Sequence, residues 1–267
     1  MNTTGTPARS YSPSWRLVSV IVLRLLVPAL LRNKWGGRGN VPRRGGVILA
    51  VNHLTYLDWA PDGVFLHACG RYPVFMIKAS AFELKGIGGF LRKAGQLSVY
   101  RGSRDAALAL NEAEKRLAEG AAVVFYPEGT TTHDRTGWPM AAKTGVARLA
   151  LATGVPVIPV AHWGTLDIVP YGGKMPKLFP RKTVHIVAGP PVDLSRWAGQ
   201  QDSPEALHAA TDAIMAQVTE LVGQLRGEIP PPVPYDPRSP ATAGPESLTK
   251  PLPETGPSRL RSWKSLS

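Results

Sequence analysis

The chain is poor in cysteine and lacks several common catalytic motifs. Cys69 is the one cysteine among 267 residues, so no disulfide can form within the chain and a reducing compartment is expected. There is no Gly-x-Ser-x-Gly segment, no His-Glu-x-x-His segment, no P-loop and no glycine-rich dinucleotide motif after a strand. The sequence therefore predicts no serine nucleophile of the hydrolase type, no bound metal and no nucleotide cofactor.

Acidic residues are absent from the first part of the chain. No Asp or Glu precedes Asp58, and the whole chain carries a formal net charge of +12. This asymmetry indicates an anionic partner, which could be nucleic acid, an acidic membrane surface or a phosphorylated substrate. No helix-turn-helix, ribonucleoprotein motif or zinc finger is recognisable, so nucleic acid is not the expected partner.

An apolar run over residues 17–31 narrows this choice. It is shorter than the ~20 residues that a spanning helix needs, and Arg24 interrupts it. Flanking Trp15 and Trp35 and nearby basic residues are typical of a helix in the membrane interface, while a short span or a core helix would also fit. We therefore predict a membrane-interface helix over residues 15–36, which holds the protein at anionic lipids on the cytoplasmic face of the cell membrane, as a peripheral or monotopic protein.

The rest of the chain alternates short apolar stretches with amphipathic ones. Strands are predicted at 46–51, 73–77, 97–100, 121–126, 157–161 and 184–188, and helices at 103–119, 140–152 and 204–225. This alternation predicts an α/β domain over residues 37–227, with a central, largely parallel or mixed sheet flanked by helices. Residues 1–14 and the tail 228–267, which is rich in proline and polar residues, are predicted to be disordered.

A histidine and an aspartate directly follow the first predicted strand of this domain. In Asn52-His53-x4-Asp58, an imidazole can take a hydroxyl proton near neutral pH, and a carboxylate can hold that imidazole in one tautomer. Both residues also have structural interpretations, because His53 could simply end a strand and Thr55-x-x-Asp58 could cap a helix. Since no protein nucleophile is recognisable, the activated hydroxyl is expected to belong to the substrate.

Further polar residues follow other predicted strands. Arg101 follows the strand at 97–100, and Glu128, Gly129 and Thr130 follow the strand at 121–126 through a proline. The backbone around Gly129 could point N–H groups at an oxyanion, and Lys143 is either a helix-face lysine or a phosphate ligand. If the strands run parallel, these groups face one crevice together with His53 and Asp58.

Four segments in this order resemble the glycerolipid acyltransferase family, in particular the 1-acylglycerol-3-phosphate (lysophosphatidate) acyltransferases. They are Asn52-His53-x4-Asp58, the segment 95–101 (GQLSVYR), the segment 126–130 (YPEGT) and the segment 155–160 (VPVIPV). The resemblance covers roughly residues 40–195. It implies transfer of a fatty acyl group from coenzyme A or acyl carrier protein to the sn-2 hydroxyl of 1-acylglycerol 3-phosphate, in phospholipid synthesis and without a cofactor.

The resemblance also implies roles for single residues. His53 is expected to be the general base and Asp58 its partner, with Arg101, Glu128, Gly129, Thr130 and Lys143 binding substrate. The family usually has arginine where this chain has Thr131, and that arginine is thought to grip the substrate phosphate. An alternative acceptor is therefore another lysophospholipid, a glycolipid or glycerol 3-phosphate.

Overall fold

The computed structural model describes residues 12–99 and 103–239, except for the side chains of residues 103–106. The α-helices are α1 (Pro13–Leu30), α2 (Trp59–Ala68), α3 (Ile87–Lys93), α4 (Ser103–Ala118), α5 (Gly145–Thr153) and α6 (Pro204–Arg226). The strands are β1 (Leu31–Gly36), β2 (Val47–Val51), β3 (Pro73–Lys78), β4 (Leu97–Val99), β5 (Ala122–Phe125), β6 (Val157–Trp163) and β7 (Lys182–Ala188). Short 3-10 helices cover Arg38–Asn40, Ala79–Glu83, Thr165–Asp167 and Ser195–Trp197.

The strands form one mixed sheet. Its seven strands lie in the order β1-β7-β6-β2-β5-β3-β4. Neighbouring strands are parallel except for β6 and β7, which are antiparallel. The predicted α/β fold with a largely parallel or mixed sheet is confirmed. The carboxyl ends of β2, β5 and β6 consequently meet at one edge of the sheet, where ligands usually bind in such folds.

The sheet is covered by helices on both faces, which explains why its central strands are largely apolar. β2 is fully buried, as expected for a parallel strand between two helical layers. Leu49 packs in the cluster that includes side chains of α1 and α2, whereas Ile48 packs in the cluster with α4, α5 and α6. This packing fixes the end of β2, and with it the segment that carries His53.

The N-terminal helix differs from the prediction. It runs from Pro13 to Leu30, and residues 31–36 form the edge strand β1 instead of its last turns. β1 pairs in parallel with β7, from Leu31 opposite Lys182 to Gly36 opposite Val187. The prediction of one helix over 15–36 is therefore wrong at its C-terminal end, because it could not include pairing with a strand so distant in sequence.

The segment after α6 lies against the domain where it is described. Gly227 ends the helix with a φ of 67°, and residues 228–239 contain no helix or strand. The N–H of Ala141 donates to the carbonyl of Tyr235 at 2.9 Å. This bond joins the segment to the neighbourhood of residues 126–132, which we name the Glu128 loop. Residues 1–11, 100–102 and 240–267 lie outside the described residues. The predictions made for them therefore stay predictions.

Candidate active site

His53 and Asp58 meet at the carboxyl end of β2, as the sequence predicts. The Nδ1 atom of His53 lies 2.9 Å from Asp58 Oδ2, and the Asp58 side chain is fully buried. The same carboxylate accepts hydrogen bonds from the N–H groups of Leu54 and Thr55 at 2.7 and 2.8 Å, and from the Thr55 hydroxyl at 2.8 Å. These bonds fix the carboxylate, and the His53 ring is left with Nε2 available to a substrate hydroxyl.

Asp58 also has the structural role that its sequence context suggests. It immediately precedes α2 and makes no side-chain cap hydrogen bond to that helix, but its carboxylate accepts the N–H three residues earlier, at Thr55, as in the second half of a capping box. A carboxylate at this place also interacts favourably with the helix dipole. The structural and catalytic interpretations of Asp58 are thus compatible, because one carboxylate closes the turn that leads into α2 and also holds the His53 ring.

A second histidine approaches Asp58 from β6, and the sequence pattern does not predict it. The Nε2 atom of His162 lies 3.2 Å from Asp58 Oδ2, although it is not aligned for a hydrogen bond there. The side chain of Asn52 holds the His162 backbone in place: its amide group donates to the His162 carbonyl at 3.1 Å, and its oxygen accepts the His162 N–H at 2.9 Å. Asn52 therefore joins the ends of β2 and β6.

His162 bridges Asp58 to a second buried carboxylate. Its Nδ1 atom lies 3.1 Å from Oδ1 of Asp62, which is one helical turn after Asp58 on α2. The Tyr126 hydroxyl donates to Asp62 Oδ2 at 2.8 Å, and the Tyr126 ring stacks on the His53 imidazole with centroids 4.2 Å apart. His53, Asp58, His162, Asp62 and Tyr126 therefore form a closed ring of contacts, in which the last contact is the stacking of Tyr126 on His53.

Within this ring of contacts, Asp58 and His162 have pKa values that differ strongly from those of exposed groups. Burial alone would raise the pKa of Asp58, but the attraction of His162 and the hydrogen bond from His53 outweigh it and lower this pKa well below its ordinary value. Burial alone would lower the pKa of His162, yet the two nearby carboxylates raise it well above 6.5. At neutral pH the structure thus supports a charged His162 between Asp58 and Asp62.

Glu128 acts on the backbone of His53 in this structure. Its Oε1 accepts the His53 N–H at 2.7 Å and its Oε2 accepts the Met140 N–H at 3.1 Å. The Thr132 N–H donates to the His53 carbonyl at 2.7 Å, so both main-chain groups of His53 are held by this loop. Burial raises the pKa of Glu128 to about 8, against the effect of the two N–H donors.

The remaining predicted site residues lie beside this loop or outside the described residues. Gly129 has a φ of 70°, and its N–H donates to the Tyr126 carbonyl at 3.0 Å, which closes a turn next to Thr130. The aliphatic end of the exposed Lys143 side chain covers Gly129, where an added Cβ would lie 3.4 Å from its Cδ and Cε. Arg101 is outside the described residues, so its role stays a prediction.

Lys143 is not on a helix, contrary to one of its two interpretations. α5 begins at Gly145, later than the predicted start at residue 140. The preceding segment forms an irregular connection instead, in which the Lys143 N–H donates to the Pro127 carbonyl at 2.9 Å and the Met140 N–H donates to Glu128. These bonds place the Lys143 ammonium group on the same side as the Glu128 loop.

The described part of the site contains no group of side chains that resembles a metal centre. Within residues 12–99 and 103–239, no three His, Cys, Asp or Glu side chains are arranged to hold a metal ion. His162, Asp58 and Asp62 are close together, but they are joined by charge and by a hydrogen bond to one another. The carboxylate oxygens of Asp58 and Asp62 already have hydrogen-bond partners within the protein.

Known acyltransferases are similar to this chain in sequence. The family model described as Acyltransferase matches residues 33–163, which include His53, Asp58, Glu128 and His162. A 1-acyl-sn-glycerol-3-phosphate acyltransferase of Chlamydomonas reinhardtii is 32% identical over 194 residues, which are 70% of this chain and 53% of the algal protein. One of Borreliella burgdorferi is 31% identical over 130 residues, which are 48% of this chain and 50% of that protein.

A solved structure has the same fold. The 1-acyl-sn-glycerophosphate acyltransferase PlsC of Thermotoga maritima aligns with a TM-score of 0.53 and 23% identity, over 78% of this chain and 77% of that one. The chain spans about half the length of the two curated relatives. The matching domain, the ordered motifs and the similarity to named relatives together show that the chain belongs to the glycerolipid acyltransferase family.

Proposed function

We propose that this protein transfers a fatty acyl group from an acyl thioester to the sn-2 hydroxyl of 1-acylglycerol 3-phosphate and so makes phosphatidate. The observation that carries this proposal is the His53–Asp58 pair, which lies beside the Glu128 loop at the edge of the sheet. Relatives that bear the name of this activity share the domain. The donor is a thioester of coenzyme A or acyl carrier protein, and its proposed chemistry requires no cofactor.

In the proposed reaction His53 is the general base. Its Nε2 takes the proton of the acceptor hydroxyl as that oxygen attacks the thioester carbonyl, while Asp58 holds Nδ1 and stabilises the imidazolium. The tetrahedral intermediate then breaks its carbon–sulfur bond, and the departing thiolate takes the proton from His53. The His53 side chain is 19% exposed, which leaves room for a hydroxyl to reach it.

The Glu128 loop is proposed to position His53 and to support the oxyanion. Glu128 is buried and its two oxygens accept main-chain N–H groups, which favours a positioning role over direct contact with the acceptor. The Gly129 N–H closes a turn, so within our proposal the main-chain N–H of Thr130 is the oxyanion donor. One such donor typically contributes about 3 kcal/mol to catalysis.

Lys143 is proposed to bind the acceptor phosphate, a role in which Arg101 would assist. It lies over Gly129, two residues before Thr131, the position where the family usually has arginine. We expect Lys143→Ala to raise the KM for lysophosphatidate about tenfold or more while kcat changes little, because a charge-assisted contact is lost in both ground state and transition state. Steady-state kinetics with varied acceptor would measure this change.

The matched control for this prediction is Lys115→Ala. Lys115 is an exposed lysine in the last turn of α4, which leads to the opposite edge of the sheet. The Lys115→Ala substitution should leave the KM for lysophosphatidate unchanged. Equal KM values for the two variants would remove Lys143 from the acceptor site and would favour another acceptor class.

A membrane location is proposed from α1. The helix is long and apolar enough to cross a membrane, yet only 11% of it is buried inside the protein. The exposed apolar side chains along it are Trp15, Leu17, Val18, Ile21, Val22, Leu25 and Leu26. Ser19 is hydrogen-bonded to Tyr72 at 3.2 Å and Leu31 continues directly into β1, so α1 lies along the domain. We therefore propose that it lies in the interface of the cytoplasmic leaflet.

The combined substitution Leu17→Gln, Ile21→Gln and Leu25→Gln tests this location. Each apolar side chain that leaves the bilayer costs about 1.5–3 kcal/mol, so binding to anionic vesicles should fall strongly in cosedimentation. Leu108→Gln on α4, where Leu108 is 65% exposed, is the control and should bind as the wild type. A deletion of residues 1–36 would be uninformative because it also removes β1.

The proposed activity is tested by offering several acceptors to the purified protein in anionic vesicles. Oleoyl-coenzyme A would be supplied with lysophosphatidate, glycerol 3-phosphate or lysophospholipids with larger headgroups, and thiol release would be followed. Release that requires lysophosphatidate supports the proposal. Release with another acceptor alone would retain the chemistry but reject the proposed substrate.

A further inference from the structure

The segment 170–181, which we name the basic loop, exposes both apolar and cationic side chains. Met175 is 79% exposed and Phe179 is 77% exposed, well above the usual fraction for such residues. Lys174, Lys177 and Arg181 lie among them, and no Asp or Glu occurs between Asp167 and Asp193. This combination of bulky apolar and basic groups is typical of surfaces that enter an anionic bilayer.

The basic loop is fixed to the domain at several points. The Arg181 guanidinium donates to the carbonyls of Pro28 and Leu31 at the end of α1. Leu178 packs against the core cluster that contains Leu31. The loop therefore adjoins the helix that we assign to the membrane interface, and its exposed side chains are presented from a supported backbone.

The basic loop also contacts the segment that carries the catalytic pair. The hydroxyl of Tyr56, between His53 and Asp58 in the sequence, donates to the Lys174 carbonyl at 2.8 Å. The Lys177 N–H donates to the Ile168 carbonyl at 2.6 Å, which closes the base of the loop. A surface bound through this loop would consequently lie beside the entrance to the candidate active site.

We propose that the basic loop is a second membrane contact, in which Met175 and Phe179 enter the interface of an anionic phospholipid bilayer and Lys174 and Lys177 meet its phosphates. The contact joins the bilayer surface to the turn that bears His53. It lets a lipid acceptor move from the leaflet to the site without passing through water. This last consequence rests on the proposed function, whereas the membrane contact itself does not require turnover.

A bilayer fits this surface better than an acidic carrier protein does. An acidic protein would satisfy the lysines, but two apolar side chains that are more than three-quarters exposed require an apolar environment as well. The neighbouring α1 presents a long row of exposed apolar side chains, which would extend the same contact. Cationic groups beside apolar ones match the phosphate and acyl layers of a single leaflet.

The test compares Met175→Ser/Phe179→Ser with a matched control, Ile229→Ser/Val233→Ser. Ile229 and Val233 are 94% and 58% exposed on the segment after α6, so the control removes similar exposed apolar groups elsewhere. Cosedimentation would use phosphatidylcholine vesicles with and without phosphatidylglycerol. We expect the loop variant to lose at least about tenfold in partition onto the anionic vesicles, and the control to match the wild type.

Two further measurements complete the test. The lysine variant Lys174→Ala/Lys177→Ala should bind less tightly to anionic vesicles and lose part of its salt dependence. Turnover of a short-chain, monomeric lysophosphatidate should be unchanged in the loop variants, while turnover of vesicle-embedded substrate falls. The proposal would be overturned if the loop variants bound vesicles as the wild type does. It would also be overturned if they lost binding to acyl carrier protein and kept binding to vesicles. If no acceptor is turned over at all, the proposed function fails while the binding measurements still decide on the loop.

Discussion

Replacement of His53 by alanine is expected to lower kcat by about 10³-fold while the protein remains folded. The general base is lost, and general acid–base catalysis typically contributes 10²–10⁴-fold, as an order of magnitude. Folding should survive because the His53 side chain is partly exposed and its backbone bonds to Glu128 and Thr132 do not require the imidazole. Thiol release at saturating acceptor would measure the loss of activity.

The control for this experiment is His208→Ala. His208 is an exposed histidine on α6, and its ring lies 2.7 Å from the Pro204 carbonyl of the same helix. It should retain full activity, and both variants should unfold near the wild-type temperature. Turnover that survives in His53→Ala would contradict the proposed mechanism. Lost turnover supports it when the variant binds vesicles as the wild type does.

The largest loss of stability is expected for His162→Leu. This change leaves Asp58 and Asp62 as two buried carboxylates without the positive charge between them. Removing one partner of a buried ion pair typically costs about 3–5 kcal/mol in the free energy of unfolding. Activity should fall as well, because Asp58 would face His53 with its second partner missing. Denaturant unfolding would measure the change in stability.

Two comparisons separate this effect from a simple packing defect. The double variant Asp62→Asn/His162→Gln should be more stable than His162→Leu, because it removes one of the unpaired charges. The pKa of His162 is raised, so its contribution is fully present below the ordinary value of 6.5 and declines as pH rises through the raised value. The difference in the free energy of unfolding between the wild type and His162→Leu should therefore become smaller at alkaline pH. A difference that is independent of pH would indicate lost packing alone.

The sequence predicts the parts of the site that are local. His53 and Asp58 are separated by a few residues on a turn after an apolar strand, and that spacing alone suggests that they touch. The Glu128 loop could be assigned to the same edge because β5 is another apolar strand that ends in a polar segment. Parallel pairing of β2 and β5 then brings the two together.

The sequence does not predict the parts that depend on the order of strands. His162 follows the segment 155–160, which reads as structural, and it reaches Asp58 only because β6 pairs beside β2, from Ile48 opposite Val157 to Val51 opposite Val160. The spacing of Asp58 and Asp62, one helical turn apart, is the local signal that a second carboxylate faces the same way. β1 is likewise unpredictable locally, since its partner β7 is far away in sequence.

The most direct test of direct transfer by His53 is a single-turnover experiment with an acyl-labelled thioester. The protein would be mixed with the donor, with and without lysophosphatidate, and quenched at intervals to measure free thiol, phosphatidate and acyl-protein. We expect no thiol release without acceptor, and thiol and phosphatidate that appear together at one rate with no labelled protein. A burst of thiol accompanied by acyl-protein, or the absence of phosphatidate, would contradict the proposed reaction.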